Sequence, residues 1–348
     1  MKPAPHRKPF GALIRRNKDA AMAYLILMAI LVLFAFNQYD FFTRYGPQSI
    51  CNQVVTLAVA ALAQTVVVLT AGIDLSIGAI IGLTNSAAAT IMDPISVSVG
   101  HTGFGLVLTH LIVLAIGCAA GLLNGLIIVF GRLQPIIVTL ATASIYSGIA
   151  LYIRPTAGGK VPEAYTDLLT GRVLTYIPVS AIVLAVFMAL IWVPLRHSRF
   201  GQSIYAIGGS EYSAFISGVP IRRTKVWAYT MAGLFSACAG LLLTAQTASG
   251  DPLGSSLFTL NSIAAVVLGG TALSGGKGGY VGSVAGAAIL SLVLGLLIFW
   301  GVPSFYQNAV QGIILILALA VSILQKQRKR TAARYADSAQ ASGSASSS

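Results

Sequence analysis

Apolar residues along this chain fall in long blocks separated by short polar breaks. An α-helix needs about 20 predominantly apolar residues to cross the hydrocarbon of a bilayer. Ten blocks approach that length, at roughly 20–36, 50–71, 75–91, 104–130, 134–152, 177–195, 226–246, 257–273, 280–300 and 304–324. The third and eighth are short, and the fourth is long enough to cross at a tilt. The pattern predicts an all-α polytopic membrane protein with about ten transmembrane helices.

Composition agrees with the pattern. Hydrophobic residues make up 56% of the 348 and charged residues only 9%, against about 25% charged in soluble domains. Starting with the N-terminus in the cytoplasm, the ten blocks place 18 of the 22 Lys and Arg on the cytoplasmic side. Only Arg44, Arg154, Lys160 and Arg172 fall outside, which is the bias of cytoplasmic loops toward basic residues. The net charge of +13 therefore hugs membrane edges and anionic headgroups, and nucleic acid is not the expected partner. Cys51, Cys118 and Cys238 lie within apolar blocks as packing residues, and no disulfide framework or metal-ligand spacing is present.

Three regions follow: a cytoplasmic tail at 1–19, a transmembrane domain at 20–325, and a basic, then Ser-rich and disordered, cytoplasmic tail at 326–348. Two longer polar interruptions stand inside the domain, an outer loop at 153–176 and a basic cytoplasmic loop at 196–225. A weak internal repeat sets Gly125-Leu-Ile-Ile-Val-Phe-Gly131 against Gly295-Leu-Leu-Ile-Phe-Trp-Gly301, and 70–75 against 247–253. Both pairs lie five spans apart, which makes the halves inverted copies, a common transporter device. A rival alignment of 71–78 with 269–276 would make them parallel. Gly117, Gly121 and Gly125, and likewise Gly282 and Gly286, recur at spacing four and predict close helix packing.

Chemistry concentrates at Ala71-Gly-Ile-Asp-Leu-Ser-Ile-Gly78. An Asp at the centre of a membrane helix costs about 3 kcal/mol, and each Leu or Ile returns only about 0.5 kcal/mol. Two compatible readings fit Asp74: it accepts backbone N–H bonds as a cap where the third span begins, or it lines a polar pathway or gate together with Ser76. Asn85, Asn124 and Asn261 belong to a wider set of neutral amides that includes Gln64. Such groups either pass a sugar by exchanging hydrogen bonds with its hydroxyls or join one helix to the next. His6, His101, His110 and His197 are scattered, and His110 reads as an interfacial or packing residue. Gly275-Gly-Lys-Gly-Gly279 lacks the Ser or Thr that a Walker A loop needs after its Lys. No catalytic residue, metal ligand or cofactor of the chain's own is expected. In the cytoplasmic loop, 211–217 can form two turns of helix stopped by Gly218 and Pro220, suited to docking a soluble partner or to lying on the lipid surface.

Four ordered motifs carry a resemblance. Gly72-Ile-Asp-Leu-Ser-Ile-Gly78, Gly121-Leu-Leu-Asn-Gly125, the stretch from Phe200 to Val219 with Tyr205-Ala-Ile-Gly-Gly209, and 264–276 look like those of the permease subunit of a bacterial ABC sugar importer, of the ribose/xylose/arabinose/galactoside type. Branched-chain amino-acid permeases are cousins within that superfamily. The resemblance implies a type II importer architecture in the bacterial inner membrane, with a second permease, identical or different. It also implies two cytoplasmic ATPase subunits holding ATP and Mg²⁺, and a periplasmic sugar-binding protein. By the same resemblance the helix near 211–218, with Glu211, Tyr212, Phe215 and Gly218, would be the coupling helix docked on the ATPase. The chain departs from the family where Ser210 replaces the usual Asn after Gly208-Gly209, and where Ser213-Ala-Phe215 replaces a common Ala-Ala-Arg. An ATP-independent secondary transporter or channel, disfavoured by the scarcity of buried coupling charges, and a membrane-embedded enzyme, disfavoured by the lack of paired catalytic groups, remain the other classes.

Overall fold

A computed structural model describes residues 18–37, 46–173, 177–303 and, beyond these, 305–307, 309–314, 316–317 and 320. The terminal tails, apart from residues 18 and 19, and part of the tenth apolar block lie outside the described residues. In chain order the helices are α1 (Lys18–Asn37), α2 (Gly46–Leu69), α3 (Ile77–Val99), α4 (Thr102–Gly131), α5 (Pro135–Ile153), α6 (Glu163–Thr170), α7 (Val179–Val186), α8 (Val193–His197), α9 (Arg199–Gly209), α10 (Glu211–Ile216), α11 (Ile221–Thr247), α12 (Leu257–Leu268) and α13 (Tyr280–Phe299). A π-helical segment at Phe187–Trp192 joins α7 to α8, and a two-stranded hairpin, β1 (Arg172–Val173) and β2 (Ile177–Pro178), precedes α7. Six of the described spans are long and apolar enough to cross a membrane: α2, α4, α5, the continuous run Val179–His197, α11 and α13. The apolar parts of α1 and α12 are shorter.

The core is built around α2, whose residues from Val54 to Leu69 are all buried. An apolar helix enclosed on every side has no polar face to present, and its sequence shows none. It packs against α11, α13, α12 and α7. Close approach elsewhere depends on glycine. A Cβ on Gly121 of α4 would run into the Tyr229 carbonyl oxygen of α11, and one on Gly117 would sit 2.5 Å from Ala237 Cβ. Gly286 of α13 faces the Ala265 carbonyl oxygen of α12 in the same way. The spacing-four glycines thus pack helix backbones together, the source of van der Waals attraction where lipid removes any hydrophobic drive.

Two helices differ from the apolar blocks that predict them. α3 continues past Met92 through Asp93 and Pro94 and stops only at Gly100, which takes the left-handed φ of +70° at the C-terminal cap. α12 stops at Leu268, ahead of Gly269 and Gly270, where the blocks suggested helix to 273. At 12 residues it rises about 18 Å, well under the roughly 30 Å of hydrocarbon. The stretch 153–176, read from sequence as a plain loop, folds α6 and the hairpin and buries Tyr165, whose hydroxyl donates to the Leu241 carbonyl oxygen at 2.9 Å. His110 packs edge-on against that ring at a centroid distance of 5.3 Å.

The bundle has one end rich in bases, where α4 gives way to Arg132, α8 to α9, and Arg222, Arg223 and Lys225 open α11. Two helix breaks enter the bundle from opposite ends. At the basic end α2 stops at Leu69, Ala71 takes φ +63°, and residues 70–76 turn back inward before α3 starts. At the other end α11 stops at Thr247, Ala248 takes φ +48°, and residues 248–256 run back alongside α3 before α12 starts.

Candidate functional site

The first break carries a buried polar network. Asp74 and Ser76 are fully buried, and Asp74 Oδ1 accepts from the Ser76 backbone N–H at 2.8 Å and from Ser76 Oγ at 2.6 Å. Ser76, rather than Asp74, occupies the N-cap position of α3. The carboxylate therefore ties down the residue that starts the helix. Asn124 of α4 donates from Nδ2 to Ser76 Oγ at 2.8 Å, and Tyr146 of α5 donates its hydroxyl to Asn124 Oδ1 at 3.1 Å and to the Ala120 carbonyl oxygen at 2.9 Å. The Leu75 N–H donates to Thr139 Oγ1 at 3.0 Å. Asn124 lies seven residues from the end of α4 and Tyr146 eleven from the start of α5, so the network sits about 10–16 Å in from the basic end. A chain that leaves the helical ladder at that depth needs protein partners for its polar groups, and Thr139 and Asp74 supply them to the Leu75 and Ser76 N–H groups. Asp74 Oδ2 and the buried Tyr229 hydroxyl have no hydrogen-bond partner among the described residues.

The second break is held by Asn85. Its Nδ2 donates to Thr244 Oγ1 at 2.9 Å and to the Ser249 carbonyl oxygen at 3.0 Å, and its Oδ1 accepts from the Asp251 N–H at 2.7 Å. Asp251 Oδ1 in turn accepts from the Leu253 and Gly254 N–H groups at 2.9 and 3.0 Å, the same two-residue reach that Asp74 makes to Ser76. Farther along, Ser255 Oγ donates to the Gly78 carbonyl oxygen and Thr259 Oγ1 accepts from the Gly78 N–H, at 2.8 and 3.0 Å. Gly78 allows this: a Cβ there would sit 2.8 Å from the Ser255 carbonyl oxygen. Both breaks therefore converge on the first turn of α3. Arg154 braces the second, donating to Thr90 Oγ1 at 3.1 Å beside the paired Gly158 and Gly250.

Of the residues singled out from sequence, Asp74, Ser76 and Asn124 come together and Asn85 anchors a separate network. Asn261 belongs to neither: it is half-buried and its side chain makes no hydrogen bond among the described residues. Gln64, five residues before the end of α2, is buried with both amide atoms lacking a partner among the described residues. The structure adds Tyr146, Thr139, Thr244, Ser255 and Thr259. No local spacing announces them, because each acts across helices far apart in the chain. Among the described residues no three His, Cys, Asp or Glu side chains gather to hold a metal ion.

At the basic end, Ser198 Oγ caps α9 by accepting from the Gly201 N–H at 3.1 Å, and Ser210 Oγ caps α10 by accepting from the Ser213 N–H at 3.2 Å. Gly218, at φ +77°, ends α10 where a side chain would be strained. Tyr212 and Phe215 are 75% and 68% exposed, an apolar pair presented outward from a short helix. Glu211 forms an ion pair with Lys225 at 2.8 Å, tying α10 to the first turns of α11. Between α10 and the first break opens a pocket of about 410 Å³ lined by Gly72, Arg132, Glu211, Arg222, Lys225 and Tyr229, among others.

Comparison with known proteins gives the following. The family model for the permease component of branched-chain amino acid transport systems matches residues 46–319. The ribose import permease protein RbsC of Bacillus subtilis (strain 168) is 36% identical over 300 residues, covering 85% of this chain and 90% of that one. Its namesake in Escherichia coli (strain K12) is 35% identical over 316 residues, covering 88% and 93%. The galactose/methyl galactoside import permease protein MglC of Escherichia coli (strain K12) is 31% identical over 322 residues, covering 88% and 95%. No solved structure matches the chain.

Proposed function

We propose, from the premise that this chain belongs to the family of branched-chain amino acid transport permease components, that it is the membrane-spanning subunit of an ATP-driven sugar importer. Its cargo is a monosaccharide or related polyol delivered by a periplasmic binding protein. ATP and Mg²⁺ are held and hydrolysed on two separate cytoplasmic subunits, and the chain pairs with a second permease, identical or different. The observation that carries this reading is likeness to import permeases named for ribose and galactose along 85–88% of the chain.

The reading extends to the architecture. Ten transmembrane helices in the bacterial inner membrane, both termini cytoplasmic, form the domain at 20–325, between a short N-terminal tail and the tail at 326–348. The two halves are inverted copies. That proposal gains support from the two helix breaks, each begun by a left-handed Ala (Ala71, Ala248), each containing an Asp that accepts from the N–H two residues on, and entering from opposite ends. Broken helices that start within the bilayer are where transporters of inverted-repeat design build their gates. Asp74, Ser76, Asn85 and Asn124 set the position of α3 and act on the gate through it. Asn261, its amide unengaged, faces the passing solute. The loop 196–225 is the coupling loop, with Glu211, Tyr212, Phe215 and Gly218 forming and framing the surface that meets the ATPase.

A mild-detergent pull-down of the tagged chain from its host tests the reading. Stoichiometric recovery of a Walker A protein with ATPase activity is the expected result. A lone polypeptide that moves sugar after reconstitution without ATP would overturn it in favour of a secondary transporter or channel.

A further inference from the structure

Three stretches of main chain meet at the basic end with no side chain between them. Leu69 closes α2, Gly208 lies in the last turn of α9, and Gly275 and Gly276 occupy the loop between α12 and α13. The Gly276 N–H donates to the Leu69 carbonyl oxygen at 3.1 Å, one of the carbonyls a helix end leaves without an internal partner. A Cβ on Gly208 would strike that same oxygen and the Gly276 nitrogen, and would lie 3.0 Å from the Gly275 carbonyl carbon. A Cβ on Gly275 would lie 2.8 Å from Gly208 Cα and 2.8 Å from the Ala71 nitrogen. One turn earlier on α9, Tyr205 donates its hydroxyl to the Gly278 carbonyl oxygen at 2.7 Å, a second tie between the same two elements.

The junction connects at both sides to parts that matter. Toward α10 there is no slack: the Ser210 N–H bonds the Ala206 carbonyl oxygen at 3.1 Å to close α9, and its side chain opens α10. One residue therefore ends one helix and starts the next. Inward, Leu69 leads within two residues to the left-handed Ala71 and the break that holds Asp74. Side chains absorb a displacement by changing rotamer, whereas main chain in direct contact passes it on. Small shifts at such tightly packed contacts are what larger rearrangements grow from.

We infer that this junction is the route by which movement of α10 reaches the membrane domain, with Gly208 and Tyr205 as positioning residues for coupling. A shift of α10 drags the end of α9, which moves the foot of α2 and the α12–α13 loop together. The inference rests on the reading of α10 as the ATPase-docking helix.

The neighbouring glycines supply a matched test. A Cβ on Gly209 meets nothing within 4 Å, so Gly208→Ala and Gly209→Ala add the same atoms one position apart. Both variants would be purified with the ATPase subunits and the binding protein and placed in proteoliposomes. ATP hydrolysis and uptake would be read together with labelled ribose, xylose, arabinose and galactose as probes. Gly208→Ala is expected to assemble and to hydrolyse ATP within about twofold of wild type, while moving at least tenfold less sugar per ATP; Gly209→Ala keeps the wild-type ratio. Tyr205→Phe, which adds no atoms, is expected to lower the same ratio at least threefold, and decides the matter if Gly208→Ala fails to assemble. Wild-type ratios in Gly208→Ala, or in Tyr205→Phe where that variant decides, would overturn the junction while leaving the importer reading intact. A wild-type complex whose ATP hydrolysis drives uptake of no monosaccharide or polyol, these four included, would instead overturn the importer reading, and the junction's role with it.

Discussion

Replacing Asp74 with Ala and, separately, with Asn distinguishes a carboxylate that anchors the first helix break from one that serves as a charge. Asp74→Ala removes two acceptor contacts, to the Ser76 N–H and Ser76 Oγ, at 2.8 and 2.6 Å. Hydrogen bonds to charged groups contribute about 1.5–3 kcal/mol each, so about 3–6 kcal/mol of stabilisation is lost. Against this, the change also removes Oδ2, which is buried without a hydrogen-bond partner among the described residues, and an unmet buried polar atom costs about 1–3 kcal/mol. Taking matched ends of the two ranges, the net loss is about 2–3 kcal/mol, and it falls on the start of α3, where Ser76 Oγ also receives Asn124. Asn at position 74 keeps an acceptor oxygen in place and sheds the buried charge. The expected outcome is a clearly lowered unfolding midpoint and reduced uptake for Asp74→Ala, with near-wild-type stability and most uptake retained for Asp74→Asn. Thermal unfolding of the purified complex, followed by near-ultraviolet signal and paired with vesicle uptake, reads both. Asp74→Ala with unchanged midpoint and uptake would refute the reasoning outright. Loss of uptake in Asp74→Asn at wild-type stability would show that the charge, rather than the anchor, is what transport needs.

Other perturbations follow from the same geometry. Asn85→Ala strips the second break of its contacts to Thr244, Ser249 and the Asp251 N–H, and its thermal midpoint should fall by the equivalent of about 2–3 kcal/mol; an unchanged midpoint would mean that other contacts hold the break. Gly121→Leu drives a side chain into the α11 main chain at Tyr229 and Gly233, and folded protein recovered from membranes should drop sharply, whereas Gly148→Ala, which meets nothing within 4 Å, should express normally. Glu211→Ala breaks a pair whose side chains are 57% and 25% exposed, so chain stability should change by less than about 1 kcal/mol, while ATPase recovery in pull-downs falls. Tyr212→Ala combined with Phe215→Ala should abolish that recovery without moving the midpoint; full recovery would place the docking surface elsewhere.

Hydropathy locates most long helices to within a few residues, because a bilayer demands a fixed apolar length and the chain supplies it. The blocks at 134–152 and 280–300 end almost where α5 and α13 end. The same signal fails where a helix stops inside the apolar region or continues beyond it. At α12, Gly269 and Gly270 end the helix while apolar residues continue. At α3, Asp93 and Pro94 end the apolar run while the helix continues to Gly100. Asp74 and Asn124 stand out individually as polar atoms in apolar surroundings, and the glycine spacing on α4 reports its packing face directly. Their pairing is not legible, since Asn124 reaches Ser76 across 48 positions and Gly78 meets Thr259 across 181. Tyr146 passes for an ordinary apolar residue until the fold gives its hydroxyl Asn124 and the Ala120 carbonyl as partners. Gly208 differs from Gly209 only in what the fold brings against it.

The most direct test of the central claim is sugar uptake by sealed proteoliposomes containing this chain, its co-purified ATPase and its binding protein, with ATP on the ATPase side. The account predicts accumulation of labelled sugar that requires ATP hydrolysis and the binding protein, and that stops when ATP is replaced by a non-hydrolysable analogue. Accumulation that proceeds unchanged without ATP, or by this chain alone down a gradient, would contradict it.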